Sequence, residues 1–144
     1  MFLVSACLLG ENCKYSGANN RSEAVCRYLE EREYVPFCPE QEGGLPTPRL
    51  PSEIRGERVY ASDGADVTDA FRQGAEKALK QCRENGIDMA ILKEGSPSCG
   101  SHQVYDGTFS GKKIPGRGIT AGFLEESGIR IYSENDIRVI INET

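Results

Sequence analysis

Several features that mark other classes of protein are missing from this chain of 144 residues. It has no tryptophan, a single histidine and no run of 18 apolar residues, so we expect no transmembrane helix. Positive charge is not in excess, because 17 basic and 22 acidic residues leave a formal net charge of −5. That balance argues against nucleic-acid binding through a broad basic surface. No basic segment precedes a long apolar stretch, so we expect no targeting sequence and a cytoplasmic location.

Cysteine is the residue type that stands out among those present. The six cysteines are too few for a disulfide scaffold, and the cytoplasm keeps thiols reduced. There is no Cys-x-x-Cys pair, and Cys7, Cys38 and Cys99 are separated by 31 and 61 positions. Such spacing is not that of a zinc finger, a zinc ribbon or a compact ferredoxin. Metal binding, catalysis and simple packing remain open for these thiols.

The order of apolar and amphipathic segments predicts one α/β domain spanning residues 1–144. Short runs that are apolar on both faces indicate strands, and they alternate with segments of helical periodicity. This pattern is typical of a Rossmann-like fold, with a mainly parallel sheet and helices on both faces. We predict strands at 2–6, 34–38, 87–92 and 129–132, helices at 21–32, 66–85 and 120–126, a small hairpin at 54–61, long loops at 39–51 and 95–118, and a helix or strand from residue 134 onward.

Three of the cysteines are predicted to lie at or just past the carboxyl ends of separate strands. Cys7, Cys38 and Cys99 then share the edge of a parallel sheet where such folds place their binding sites. Soft thiolates that converge there suit an iron–sulfur cluster, although buried packing cysteines would show the same spacing. Two further cysteines, Cys26 and Cys82, lie on the apolar faces of predicted helices, where packing is the expected role. Cys13 lies in the first loop and is a fourth ligand, a redox partner or an ordinary loop residue.

The loops that follow the second and third of these strands contain polar residues suited to handling a water molecule. Glu40 stands two positions after one cysteine, and Ser96 and Ser98 lie just before another. A carboxylate and a hydroxyl beside a metal site have an obvious use in hydrolysis and none in simple electron transfer. Arg49 is a candidate for binding an anion or for pairing with a nearby acid. His102, the lone histidine, is a weaker candidate as a ligand or acid.

Taken together, these segments resemble the thiouracil desulfidase family. The resemblance is carried by three motifs in order, which are Ser5-Ala-Cys-Leu-Leu-Gly10 with Tyr15-Ser-Gly17, Cys38-Pro-Glu-Gln-Glu-Gly-Gly-Leu-Pro-Thr-Pro-Arg49, and Ser96-Pro-Ser-Cys-Gly100 with Tyr105-Asp-Gly-Thr-Phe-Ser-Gly111. It extends over nearly the whole chain, from residue 2 to about residue 137.

The resemblance implies a [4Fe–4S] cluster held by three protein ligands, Cys7, Cys38 and Cys99, with the fourth iron open. That iron would take the sulfur of a small thiolated nucleobase such as thiouracil. Glu40 would activate a water that attacks the carbon, and Ser96 would position the water or the substrate by hydrogen bonding. Sulfur would leave as hydrosulfide with no net redox change. The sequence leaves open whether Ser96 or Ser98 has this role.

Two other functions are compatible with the residues alone. One is a non-catalytic carrier or sensor of an iron–sulfur cluster, another metal or a persulfide. The other is an enzyme with a cysteine nucleophile, Cys38 or Cys99, and His102 as its partner. The desulfidase hypothesis makes a specific structural prediction: the three strand-end thiols converge, and Glu40 and Ser96 face the same cavity.

Overall fold

A computed structural model describes residues 1–143 and has a parallel sheet at its centre. The strands are β1 Phe2–Ser5, β2 Tyr34–Phe37, β3 Ser52–Arg55, β4 Arg58–Ala61, β5 Met89–Leu92, β6 Gln103–Tyr105, β7 Lys113–Pro115 and β8 Arg130–Ser133. Four of them, in the order β2-β1-β5-β8, form one sheet in which all neighbours are parallel.

Five α-helices accompany the strands. They are α1 Glu23–Leu29, α2 Pro39–Glu42, α3 Thr68–Asn85, α4 Ile119–Glu126 and α5 Ile137–Glu143. Short 3-10 helices follow β1 at Ala6–Leu9 and β8 at Glu134–Asp136. The segment after residue 134, for which the sequence favoured neither helix nor strand, is therefore helical. No helix within residues 1–143 combines the length and the apolar character that a membrane span requires.

Side-chain alternation along the strands explains why the sheet is covered on both faces. Leu3 and Leu92 point to one face and pack against α3 and α4, whereas Val4 and Ile91 point to the other and pack with α1 and α5. In the central strands β1 and β5, residues on both faces are buried except the half-buried Met89, as parallel sheets require. The predicted α/β class, with a parallel sheet and helices on both faces, is confirmed.

Two hairpins lie outside the central sheet. Strands β3 and β4 pair antiparallel, which confirms the small hairpin predicted at 54–61. Strands β6 and β7 also pair antiparallel, so the segment 95–118 is not a simple loop as predicted. These two strands have only three residues each, and β7 is exposed along its whole length, so neither has the apolar pattern by which a strand is recognised.

The predicted loop at 39–51 begins with a short helix, α2. Pro39 occupies the first turn, where its fixed φ favours a helix and its missing N–H is not needed. The helix lies directly against α3, because Gly43 and Gly74 leave no side chain between the two backbones. A methyl group on Gly74 would lie 2.0 Å from the carbonyl oxygen of Pro39, and one on Gly43 would lie 2.0 Å from that of Ala70. This close packing holds the residues on either side of Pro39 in place.

Candidate functional site

A cavity of about 440 Å³ opens at the carboxyl-terminal edge of the sheet. It lies where β1 is flanked by β2 on one side and β5 on the other, which is the position where open α/β sheets bind ligands. All five residues that the sequence assigned to the site contribute to its wall, namely Cys7, Glu40, Cys38, Ser96 and Cys99. The predicted convergence of these side chains on one cavity is therefore present in the fold.

Each of the three predicted thiol ligands follows a different strand of the central sheet. Cys7 lies in the 3-10 helix after β1, and Cys38 is the residue that caps the amino end of α2 after β2. Cys99 comes after β5, in a turn packed so closely on Gly118 that a methyl group there would lie 2.5 Å from the Ser98 backbone. The three thiols are thus held by short, well-packed segments rather than by a flexible loop.

A fourth thiol, that of Cys13, lies among them. It is 5% exposed and donates hydrogen bonds to the thiols of Cys7 and Cys38. These bonds lower the pKa of Cys7 and lower the pKa of Cys38 to about 7, while the pKa of Cys13 itself rises well above its usual range. The arrangement therefore favours thiolates at the two strand-end cysteines.

Further hydrogen-bond donors reach each predicted thiol ligand. The Asn20 amide donates to the sulfur of Cys7 at 3.4 Å, the backbone N–H of Gln41 donates to Cys38, and the Ser5 hydroxyl donates to Cys99. Burial raises the pKa of the Cys99 thiol to about 12, so an ionised Cys99 requires a positive partner such as a metal. Hydrogen bonds of this kind orient and tune thiolates that bind metal.

Glu40 is held at the cavity wall by one partner on each carboxylate oxygen. The Nε of Arg49 donates to Oε1 at 3.1 Å, and the Ser98 hydroxyl donates to Oε2 at 2.9 Å. Both charged side chains are largely buried, with 14% of Glu40 and 7% of Arg49 exposed. Since a carboxylate offers about four acceptor positions, two remain for water or substrate. The sequence alternative in which Arg49 pairs with Glu40 is the one that the structure contains.

The two serines before Cys99 have different surroundings. The Ser96 hydroxyl accepts hydrogen bonds from the backbone N–H groups of Ser98 at 3.1 Å and Cys99 at 3.0 Å, and so stabilises the turn. The Ser98 hydroxyl lies 3.0 Å from that of Ser96 and is the one that contacts Glu40. Ser98 is thus closer to the predicted base, while Ser96 lines the cavity beside it.

The remaining candidates from the sequence lie elsewhere. His102 is exposed and bonds to the carboxylate of Glu94 at 2.9 Å, which raises its pKa, and it does not line the cavity. Cys82 is 1% exposed in the core between the sheet and α3, as expected for a packing residue. The half-buried Cys26 donates to the carbonyl of Leu8 at 3.7 Å and is not among the residues that line the cavity.

Several wall residues were missed by the sequence reasoning. Lys93 directly follows β5, so the same strand-end rule that selected the cysteines would have found it. Glu53 lies on β3 and Phe109 in the turn between β6 and β7, and both reach the cavity only through the way in which the hairpins fold over it. Phe109 and Tyr105 belong to a motif that was used for the resemblance but was given no role.

The thiol geometry fits a cluster better than a single ion. Among residues 1–143, no three histidine, cysteine or acidic side chains are close enough together to hold one metal ion. The three strand-end thiols instead surround a shared cavity, and hydrogen bonds favour the thiolate form of two of them, Cys7 and Cys38. Soft thiolate ligands that converge on one cavity suit an iron–sulfur cluster.

Comparisons with known proteins agree with this arrangement. A family model described as 2-thiouracil desulfurase matches residues 2–136. The chain is 43% identical over 151 residues to the uncharacterized protein YbbK of Bacillus subtilis (strain 168), covering 98% of this chain and 100% of that one. Its fold superposes on the solved structure of the [4Fe-4S]-dependent thiouracil desulfidase TudS with a TM-score of 0.91, at 42% identity, covering 99% of this chain and 98% of TudS.

Proposed function

Because the chain belongs to the 2-thiouracil desulfurase family, we propose that it is an iron–sulfur-dependent enzyme that converts the C=S group of a thiolated nucleobase such as thiouracil to C=O. The similar structure TudS is [4Fe-4S]-dependent and bears the same activity in its name. The observation that carries the proposal is the meeting of three strand-end thiols with a hydrogen-bonded carboxylate in one cavity.

The cofactor in this proposal is a [4Fe–4S] cluster with Cys7, Cys38 and Cys99 as its three protein ligands. Bound there, it supplies an iron with an open position, which acts as a Lewis acid toward the sulfur of the substrate. The ligand assignment is supported by the donors that each thiol receives and by the lowered pKa values of Cys7 and Cys38. Cys13 differs from these three, since it donates a hydrogen bond to two of them.

Glu40 is the proposed general base. Arg49 and Ser98 fix the orientation of its carboxylate, and a free acceptor position takes a proton from the attacking water. The water oxygen bonds to the thiocarbonyl carbon, and the carbon–sulfur bond breaks. The second proton of the water passes to the sulfur, which leaves as hydrosulfide. One water is consumed, C=S becomes C=O and no electrons are transferred. Ser96 and Ser98 supply hydroxyls that hold the water or the substrate in line.

The two alternatives from the sequence have less support. A carrier or sensor has no use for a buried Arg49–Glu40 pair directed at its metal site. A cysteine-nucleophile enzyme with His102 as partner conflicts with the geometry, because that histidine is bonded to Glu94 and is exposed. Free thiols on all six cysteines agree with a reducing compartment, so we place the protein in the cytoplasm.

An anaerobic assay of thiouracil turnover tests the proposal. Purified protein that contains iron and sulfide is mixed with 2-thiouracil, and uracil and hydrosulfide are measured. We expect equal amounts of the two products from the wild type. The Glu40→Gln variant keeps an oxygen for Arg49 but loses the base, so its kcat should fall by roughly 10²- to 10⁴-fold with the iron content unchanged.

Glu42→Gln is the matched control, since Glu42 is an exposed glutamate on the same short helix and lies outside the cavity wall. This control should turn over thiouracil at the wild-type rate. A wild-type protein with a full iron content and no hydrosulfide release would favour the carrier alternative. Full activity in the Glu40→Gln variant would remove Glu40 from the mechanism.

A further inference from the structure

The turn between β6 and β7 forms part of the cavity wall and holds an unusual residue. Residues 106–112 connect the two strands, and Phe109 in this turn lines the cavity together with Tyr105 at the end of β6. Two further rings, those of Tyr15 and Phe37, line the wall among thiols, hydroxyls, charged groups and prolines. Of the four aromatic residues, Phe109 alone has a positive φ.

Phe109 has a backbone conformation that a bulky side chain disfavours. Its φ is +56°, and within residues 1–143 it is the only residue other than glycine with a positive φ. Glycine and asparagine adopt this conformation readily, and phenylalanine does so at a cost in conformational energy. Gly107 and Gly111 take the other positive-φ positions of the same turn. Strain of this type tends to persist where a side chain is needed in one place.

A buried carboxylate holds the strained turn. Glu53, on β3 and only 8% exposed, accepts hydrogen bonds on the same oxygen, Oε1, from the N–H of Gly107 at 2.9 Å and from that of Phe109 at 3.2 Å. On the same strand, Arg55 donates to the carbonyl of Gly107 at 2.7 Å. Its guanidinium also lies over the ring of Phe109, 5.9 Å from the centroid. The hairpin β3–β4 thus fixes both the backbone and the ring.

We propose that Phe109 is a stacking surface for the planar ring of the substrate, and that Glu53 is the residue that positions it. This inference rests on the proposed function for the identity of the base, and it adds a determinant of specificity: a flat heteroaromatic ring. Aromatic rings bind bases by stacking with little dependence on the identity of the base. The cavity would then prefer planar thiolated bases over thiocarbonyl compounds with a puckered ring.

Binding of uracil to the anaerobic iron-containing protein, measured by calorimetry, tests the role of Phe109 without requiring turnover. In the Phe109→Leu variant we expect the Kd for uracil to rise about tenfold, since a base–aromatic stack is worth roughly that much. The Kd for 5,6-dihydrouracil, whose ring is not planar, should change by less than about twofold. Phe109→Tyr should recover most of the affinity. Phe123→Leu, the same replacement at a half-buried phenylalanine of α4 outside the cavity, is the control.

Phe109→Asn is a second variant in case Phe109→Leu loses iron, because asparagine tolerates the positive φ. It should show the same selective loss for uracil. The stacking role would be overturned if the variants bound uracil and dihydrouracil equally more weakly than the wild type, or bound both as tightly. A wild type that binds neither uracil nor thiouracil would overturn it as well. A wild type that binds uracil but releases no hydrosulfide from thiouracil would refute the proposed function alone.

The positioning role of Glu53 has its own signature. Glu53→Gln keeps an oxygen that can accept from both N–H groups, so we expect it to restore most of the uracil affinity that Glu53→Ala loses. Glu53→Ala should raise the Kd for uracil and leave the Kd for dihydrouracil nearly unchanged, as we expect for Phe109→Leu. A Glu53→Ala variant that binds both compounds like the wild type would refute the positioning role.

Discussion

The contact between α2 and α3 is the feature on which the position of the site residues depends most directly, and replacing Gly74 by alanine tests it. The new methyl group would lie 2.0 Å from the Pro39 carbonyl oxygen and 2.8 Å from its carbonyl carbon. Non-bonded carbon and oxygen atoms come no closer than about 3 Å, so the two backbones must separate by about 1 Å. Pro39 stands between Cys38 and Glu40, so both would move.

The expected free-energy change has two parts of opposite sign. Alanine stabilises a helix interior by about 1 kcal/mol relative to glycine, and overpacking costs about 1–3 kcal/mol or more when the obstructing atom belongs to a backbone. Gly122 in α4 is the matched control, because nothing lies within 4 Å of its added methyl group. Gly122→Ala should therefore stabilise the protein by about 0.5–1 kcal/mol, while Gly74→Ala should destabilise it by about 1–2 kcal/mol.

Urea denaturation of both variants, together with their iron content and thiouracil turnover, distinguishes the two effects. We expect Gly74→Ala to lose more activity than its stability implies, since displacement of about 1 Å at a reacting group costs about 10²-fold in rate. Gly122→Ala should keep the wild-type iron content and rate. A Gly74→Ala variant that is stabilised and fully active would show that α2 does not lie on α3 as described.

Other contacts lead to further expected outcomes. Ser98→Ala removes the hydroxyl that donates to Glu40 and should lower kcat by roughly tenfold or more. Ser96→Ala removes two hydrogen bonds that stabilise the turn and should lower the free energy of unfolding by about 1–2 kcal/mol. Arg49→Met leaves the buried Glu40 carboxylate unpaired, and chemical denaturation should show a loss of about 3–5 kcal/mol, with a smaller loss for Arg49→Lys. Burial works to raise the pKa of Glu94, but hydrogen bonds from the backbone and side chains of residues 101–103 outweigh it and lower the pKa to about 2. Because the folded pKa is the lower one, the stabilisation is complete above the ordinary value of 4.5 and is lost as the pH falls toward 2, so the stability difference between wild type and Glu94→Gln should shrink over that range.

The sequence was most informative where burial follows from periodicity. Strands that are apolar on both faces predicted the parallel sheet, and the positions just after them placed Cys7, Cys38 and Cys99 at one edge. Those predictions rest on geometry that every open parallel sheet shares. The apolar stripe of α3 likewise predicted a packing role for Cys82, which is 1% exposed.

The features that the sequence could not predict depend on how irregular segments fold. Helix α2 was hidden because four prolines and two glycines in residues 39–51 are typical of a loop, yet the first proline begins a helix. The contacts of Cys13 depend on the path of the first loop, for which no periodicity exists. Ser96 and Ser98 are two positions apart in a turn, and only the direction of the turn decides which of them contacts Glu40.

The most direct test of the central claim is the iron and sulfide content of anaerobically purified cysteine variants. The wild type should contain about four irons and four sulfides per chain, and serine replacements of Cys7, Cys38 or Cys99 should each abolish that content while the protein stays folded. Cys26→Ser should keep the full complement, since its thiol donates to the Leu8 carbonyl and serine can replace that bond. A wild type that binds no iron under these conditions, or three variants that all retain it, would contradict the account.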